Sequence, residues 1–229
     1  MPSTDFFLVP ITAGLLFDLR DGEHPTQVFG VCLDRRLLSP EDTHFGLVTD
    51  GEVALQRGQD LFRLRAGAFF VVPGAAAIDG QHGRCLVISR LHYQGLFQIG
   101  GPLERQGRLR YIDGCSDTLL VCPPRLGEPC LNHLHIPPHT QQSAHTHPSD
   151  RIGVIAGGQG CCITDRGRYP LRAGMAWCIP TGSRHCFVTE DEPLDVLAWH
   201  PDTDFGPTDG NHPMINRTFL PGVSAAPRP

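Results

Sequence analysis

The feature that most constrains the fold is a long internal repeat. Shifted by 107 positions, FGLVTDGEVALQRGQDLFRLRAGAFFVVP (45–73) lies without a gap on IGVIAGGQGCCITDRGRYPLRAGMAWCIP (152–180). Gly46 meets Gly153, Gly51 meets Gly158, the run Leu64-Arg65-Ala66-Gly67 meets Leu171-Arg172-Ala173-Gly174, and Pro73 meets Pro180. Val48 faces Ile155, Phe62 faces Tyr169 and Phe70 faces Trp177. Glycines recurring at turns and apolar residues recurring between them mark two copies of one supersecondary plan.

Each copy reads as β structure. Few segments keep helical periodicity for ten residues. Short apolar or alternating runs dominate (TQVFGVCL, HFGLVTD, EVALQ, AFFVVP, CLVISRL, TLLVCPP, CLNHLHIPP, RIGVIAG, GCCITD, MAWCIP, HCFVTE, LDVLAW), punctuated by 26 Gly and 21 Pro. That is the pattern of an all-β sandwich or barrel. The expected organisation is an N-terminal module over 1–110 and a C-terminal module over 111–229, joined between about 100 and 125.

The charge balance narrows the partners. All 19 basic residues are Arg, so a Schiff-base lysine, a pyridoxal phosphate anchor and a phosphate-loop lysine are excluded. A formal charge of −5 without a basic cluster argues against nucleic acid. No apolar run approaches the roughly 20 residues of a membrane span, and the N-terminus MPSTDFFLVP shows no export pattern. Nine cysteines, odd in number and without a CxxC, read as reduced thiols of a cytoplasmic protein.

The two copies differ in chemistry. Eight of the twelve histidines lie at or beyond residue 133. His145 and His147 form an HxH pair, which a strand presents on one face because its side chains alternate. GMAWCIPTGSRH follows, with Gly174, Pro180, Gly182 and His185 in a G-x5-P-x-G-x2-H spacing. Carried back by 107, the three histidines fall on Leu38, Pro40 and Ile78. The N-terminal module is therefore expected to keep the scaffold and to have no metal ligands at those places.

HxH followed by G-x5-P-x-G-x2-H resembles the two motifs of the cupin superfamily. The resemblance is good over 131–200 and extends, through the repeat, to about 30–90. It implies two jelly-roll barrels, a bicupin, with departures at His139, where the first motif usually has Gly, and at Thr189, where the second ends in Asn. It further implies that His145, His147 and His185 converge on one divalent metal. Fe(II) heads the candidates, with Zn, Ni, Mn or Cu as others. Where the motif often supplies a fourth, glutamate ligand stands Arg151, beside Asp150. Arginine cannot ligate a metal. If it points inward, its forked donors suit a substrate carboxylate. The other reading turns it to solvent, or pairs it with Asp150 or Asp165, and makes Asp150 the ligand.

A three-histidine site without glutamate is similar to that of the thiol dioxygenases. The resemblance suggests an O₂-dependent iron dioxygenase acting on a small carboxylate-bearing substrate, with cysteine or a related thiol first. The alternatives are a non-oxidative isomerase, lyase or epimerase, and a ligand-binding cupin without turnover. Arg151 and His135 are the catalytic candidates, and Arg151, Gln142 and Trp177 the substrate-binding ones. Of Trp177 and Cys178 only one can face inward, and Cys178 is expected to pack. Phe205, Met214, Ile215 and Phe219 suggest that the tail over 200–219 straps back onto the barrels, or closes over the mouth with His212, Asn216 or Arg217. A homodimer is the expected assembly.

Overall fold

The computed structural model describes residues 5–215 and 217–226. It is all-β, with two large sheets that follow the repeat. The first strand, β1 (Phe7–Pro10), is followed by β2 (Gly14–Leu19), β3 (Thr26–Cys32), β4 (Arg35–Leu38), β5 (Thr43–Arg57), β6 (Asp60–Arg65), β7 (Phe69–Pro73), β8 (Ala76–Arg90) and β9 (Gln98–Gly100). The second half carries β10 (Leu109–Arg110), β11 (Ser116–Val121), β12 (Cys130–Ile136), β13 (Arg151–Thr164), β14 (Gly167–Arg172), β15 (Met175–Ile179), β16 (His185–Val188) and β17 (Leu194–His200). No helix among the described residues is long and apolar enough to cross a membrane.

The eight-stranded sheet runs β2-β3-β8-β5-β7-β9, with β4 on β8 and β6 on β5. The nine-stranded sheet runs β1-β15-β13-β17-β12-β11-β10, with β14 and β16 on β13. The sheets part between Gly100 and Leu109, with one exception. Phe7–Pro10 pair antiparallel with Met175–Cys178, so the first strand of the chain completes the C-terminal sheet. Residues 7–10 lie within the range given above to the N-terminal module, and the sheet pairing moves them to the other barrel.

The runs HFGLVTD and EVALQ, separate in the sequence, are one strand. β5 passes through the break by shifting its register against β8 at Val48/Asp50 and Glu52/Ala54. Such bulges bend a strand around a barrel. Gly51 and its counterpart Gly158 sit in these bends at φ 63° and 70°, where a side chain is strained.

Three apolar clusters follow from strict alternation along the paired strands. Val48, Leu55, Phe70, Ile78 and Val87 fill the N-terminal barrel. Ile136, Ile155, Trp177, Phe187 and Val196 line the C-terminal one. The third cluster lies between the barrels: Phe45, Leu47, Val71 and Ile88 from one meet Leu131, Ile152, Val154, Leu197 and Trp199 from the other. Cys178 belongs to this interface and Trp177 to the barrel interior. Leu38 and Ile78, the repeat positions of His145 and His185, are core residues of a filled barrel.

Of the four apolar residues expected to strap the tail back, Phe205, Met214 and Phe219 are exposed and Ile215 is partly buried. What holds the segment is polar: Pro207 accepts a hydrogen bond from Leu126 N, and Thr203 Oγ1 donates to the Glu128 carbonyl.

Candidate metal centre

His145 and His147 stand on the loop before β13, and His185 opens β16. Main-chain bonds fix the loop: His145 N donates to the His185 carbonyl at 2.9 Å, and His185 N donates to the His145 carbonyl at 3.0 Å. Two local features stand where the motif residues are missing. His139 takes φ 56°, the left-handed geometry that glycine adopts freely. Thr189 Oγ1 accepts from Thr140 N at 3.0 Å and donates to the Pro137 carbonyl, tying down the start of the loop.

One ligand atom from each of the three imidazoles lies within 4.8 Å of the others, and no other group of this kind occurs among the described residues. The ring orientations are set by the backbone. His145 Nδ1 donates to the Ser143 carbonyl at 2.8 Å and His185 Nδ1 to the Ser183 carbonyl at 2.9 Å. Each ring therefore carries its lone pair on Nε2, as a metal ligand held by an outer hydrogen bond does. Burial pushes the pKa of His147 down to about 3, helped by Arg151 and the other two rings, and that of His185 down to about 4. Three imidazoles at one point fit a divalent ion of the Fe, Zn, Ni or Cu type.

The histidines open onto a cavity of about 240 Å³ in the C-terminal barrel. Arg151, Gln142 and Trp177 line it as well. Arg151 is 8% exposed. Its Nη1 donates to Ser149 Oγ and, at 3.2 Å, to the Ser149 and Asp150 carbonyls. Its ion pair is with Asp202, at 3.7 Å, and Ser149 Oγ also donates to Asp202. Arg151 Nε is buried without a partner among the described residues. Asp150 is occupied elsewhere, accepting from Thr181 N at 2.8 Å and Thr181 Oγ1 at 3.0 Å. The pairing of Arg151 with Asp150 or Asp165, and Asp150 as ligand, are thereby set aside.

Gln142 is a strut. Its Oε1 accepts from Phe187 N at 3.2 Å and its Nε2 reaches Cys115 Sγ at 3.5 Å. Trp177 lines the cavity, and its Nε1 is buried without a partner among the described residues. His135 is not brought to the cavity. Along β12, Asn132 and Leu134 face inward, so His133 and His135 face out and share Asp195 Oδ1 at 3.0 and 2.8 Å. The catalytic place given to His135 is corrected by the period of the strand. His212 and Arg217 are exposed and do not line the cavity, and Asn216 lies outside the described residues.

Sequence reasoning missed His200, Asp117 and Asn132, which also line the cavity. His200 was legible: in LDVLAWH, alternation puts Val196, Ala198 and His200 on one face. Its ring lies 6.4 Å from that of His147, and burial depresses its pKa well below the usual imidazole range.

The N-terminal barrel shows what the same place looks like without such a site. His44 stands at the repeat position of Arg151. Both its ring nitrogens are taken, by Ser89 Oγ at 2.8 Å and the Ser39 carbonyl at 3.0 Å.

Residues 132–200 match the family model of the cupin domain. Solved structures similar to the whole chain share its fold at low identity. A cupin 2 conserved barrel domain protein from Leptotrichia buccalis is 12% identical, with 87% of this chain and 91% of that chain covered and a TM-score of 0.58. A putative glyoxylate induced protein from Pseudomonas aeruginosa is 14% identical, with 91% and 92% covered and a TM-score of 0.63. A salicylate 1,2-dioxygenase from Pseudaminobacter salicylatoxidans is 11% identical, with 82% and 75% covered and a TM-score of 0.60. Among curated proteins none matches the sequence significantly. The fold is that of the cupins, and the C-terminal barrel carries their histidine triad.

Proposed function

We propose that the C-terminal barrel is a mononuclear Fe(II) centre that oxidises a small carboxylate-bearing substrate with O₂. The observation that carries the reading is Arg151, a buried guanidinium with an unpartnered Nε in the wall of the cavity that holds the three imidazoles. Neutral ligands leave a bound dication its full charge, and the Arg151 guanidinium beside it is paired, among the described residues, only with Asp202 at 3.7 Å. An anion is the natural complement, and a carboxylate matches the guanidinium fork. The metal, when bound, would supply Lewis acidity and access to O₂. The chain's own residues do the rest: Arg151 orients the acid, Ser149 and Asp202 hold Arg151, and the apolar walls exclude water. The likeness to a salicylate 1,2-dioxygenase, at 11% identity, bears on the fold alone.

Oxygen consumption by anaerobically Fe(II)-loaded protein tests the reading. Cysteine and related thiols come first in the panel, followed by larger apolar acids that a 240 Å³ cavity admits. Uptake coupled to loss of the acid is expected, and Arg151→Gln should weaken its apparent affinity at least tenfold, the order of a charge-assisted hydrogen bond. Bound acid without uptake would assign the site to non-oxidative turnover or to binding alone.

A further inference from the structure

The cavity wall holds a second charged group, the partly buried Asp117, that the reading above does not use. Asp117, on β11, shares its inward face with Leu109 on β10 and Leu134 on β12, to which it is directly paired. All three line the cavity. Asp117 has no ion pair among the described residues, although a lone carboxylate in an apolar wall is costly.

Its orientation is built. Cys130 Sγ donates to Asn132 Oδ1 at 3.2 Å, which turns the amide so that Asn132 Nδ2 donates to Asp117 Oδ1 at 2.8 Å. Asp117 Oδ2 carries no hydrogen bond among the described residues. Burial pushes the Asp117 pKa up, against the opposing Asn132 bond. Asn132 is the one side-chain donor to the carboxylate among the described residues.

Its position differs from that of Arg151. In the sheet order β13-β17-β12-β11, three strand steps separate them. At about 4.8 Å per step that is roughly 14 Å across the strands, and by register Asp117 is level with Ile155, four residues along β13 from Arg151, the curvature of the barrel bringing the two walls closer. An α-amino acid places its ammonium one carbon from its carboxylate and cannot span such walls. The cavity has room for a longer body: a cavity of roughly 150 Å³ holds benzene, and this one is about 240 Å³.

We propose that Asp117 determines the substrate class by accepting a hydrogen bond from a hydroxyl or amino group at the far end of an apolar acid whose carboxylate Arg151 holds. This rests on the carboxylate reading of Arg151. The substrate is then a hydroxy- or amino-substituted acid with a ring-sized body, Leu109, Leu134 and Trp177 packing against it.

Calorimetric binding to zinc-loaded protein tests the assignment without turnover. The probes are benzoate, phenylacetate and 3-phenylpropionate, each against its 4-hydroxy counterpart. At least one hydroxylated acid should bind wild type roughly tenfold or more tighter than its parent, the discrimination that a buried polar acceptor exerts. Asp117→Ala should abolish that preference and leave parent acids bound, and Asp117→Asn, which keeps shape and the Asn132 contact, should reduce it. A preference that survives in Asp117→Ala overturns the assignment. So does a panel in which parent acids bind, Arg151→Gln removes them, and hydroxylation adds nothing; that outcome leaves the Arg151 reading standing. If no acid binds wild type, the carboxylate reading fails and takes the Asp117 assignment with it.

Discussion

Phe45 of the N-terminal barrel and Trp199 of the C-terminal one pack ring to ring, 5.6 Å between centroids and tilted by 56°. They sit in the apolar cluster that joins the two sheets. The barrels therefore share one core and should unfold together. Trp199→Ala is expected to cost about 3–5 kcal/mol, as truncation of a buried aromatic does. Urea melts followed by far-ultraviolet and near-ultraviolet dichroism should stay coincident for wild type, and two separated transitions would contradict a shared core.

Gly153 lies beneath Trp177, its strand partner, as Gly46 lies beneath Phe70 in the other barrel. A Cβ on Gly153 would stand 1.8 Å from the Leu197 carbonyl oxygen and 2.6 Å from Trp177 Cζ2. Backbone cannot yield as a flexible side chain does, so Gly153→Ala should cost at least about 3 kcal/mol. Gly182, at φ 73° with nothing within 4 Å, supplies the contrast. There the penalty is only backbone strain, about 1–2 kcal/mol. Equal losses of thermal stability in the two variants would refute the steric account.

What was legible in the sequence was what depends on periodicity and turn chemistry. Gly51 and Gly158 announced matched bends, and the shared LRAG run β6–β7 and β14–β15. The histidine triad was legible because its motif spacing fixes both loop and strand. Pairing between distant segments was not: nothing in FFLVP says that Phe7–Pro10 cross to β15. His135 was misplaced by counting histidines and not phases, since Asn132 and Leu134 hold the inward positions of that strand. Asp117 escaped because its importance lies in the lack of an ion pair, a property of the folded surroundings alone.

Burial raises the pKa of Asp117 above its ordinary value of 3.8. The folded protein thus binds this proton more tightly than the unfolded chain. The ionised carboxylate weakens the fold at neutral pH, and the penalty fades as pH falls through the raised pKa towards 3.8. Asp117→Asn should therefore be more stable than wild type at about pH 7, with a margin that shrinks on acidification. Chemical denaturation across that range checks it, and a margin that grows as pH falls would reverse the sign.

Metal content offers the sharpest contrast between the two barrels. Leu38 and Ile78 fill the places that His145 and His185 take in the other half, so one ion per chain is expected. Binding only to the folded site stabilises by mass action, about 2.7 kcal/mol at a free-ion concentration 100 times the Kd. Chelation should lower the melting temperature of wild type and leave that of His145→Ala or His185→Ala nearly unchanged. The outward His133 and His135 share Asp195, and none of the three contributes to the cluster, so His135→Gln should keep full stoichiometry. Elemental analysis of the dialysed proteins decides the matter: an ion retained in His185→Ala, or lost in His135→Gln, would move the site away from the triad.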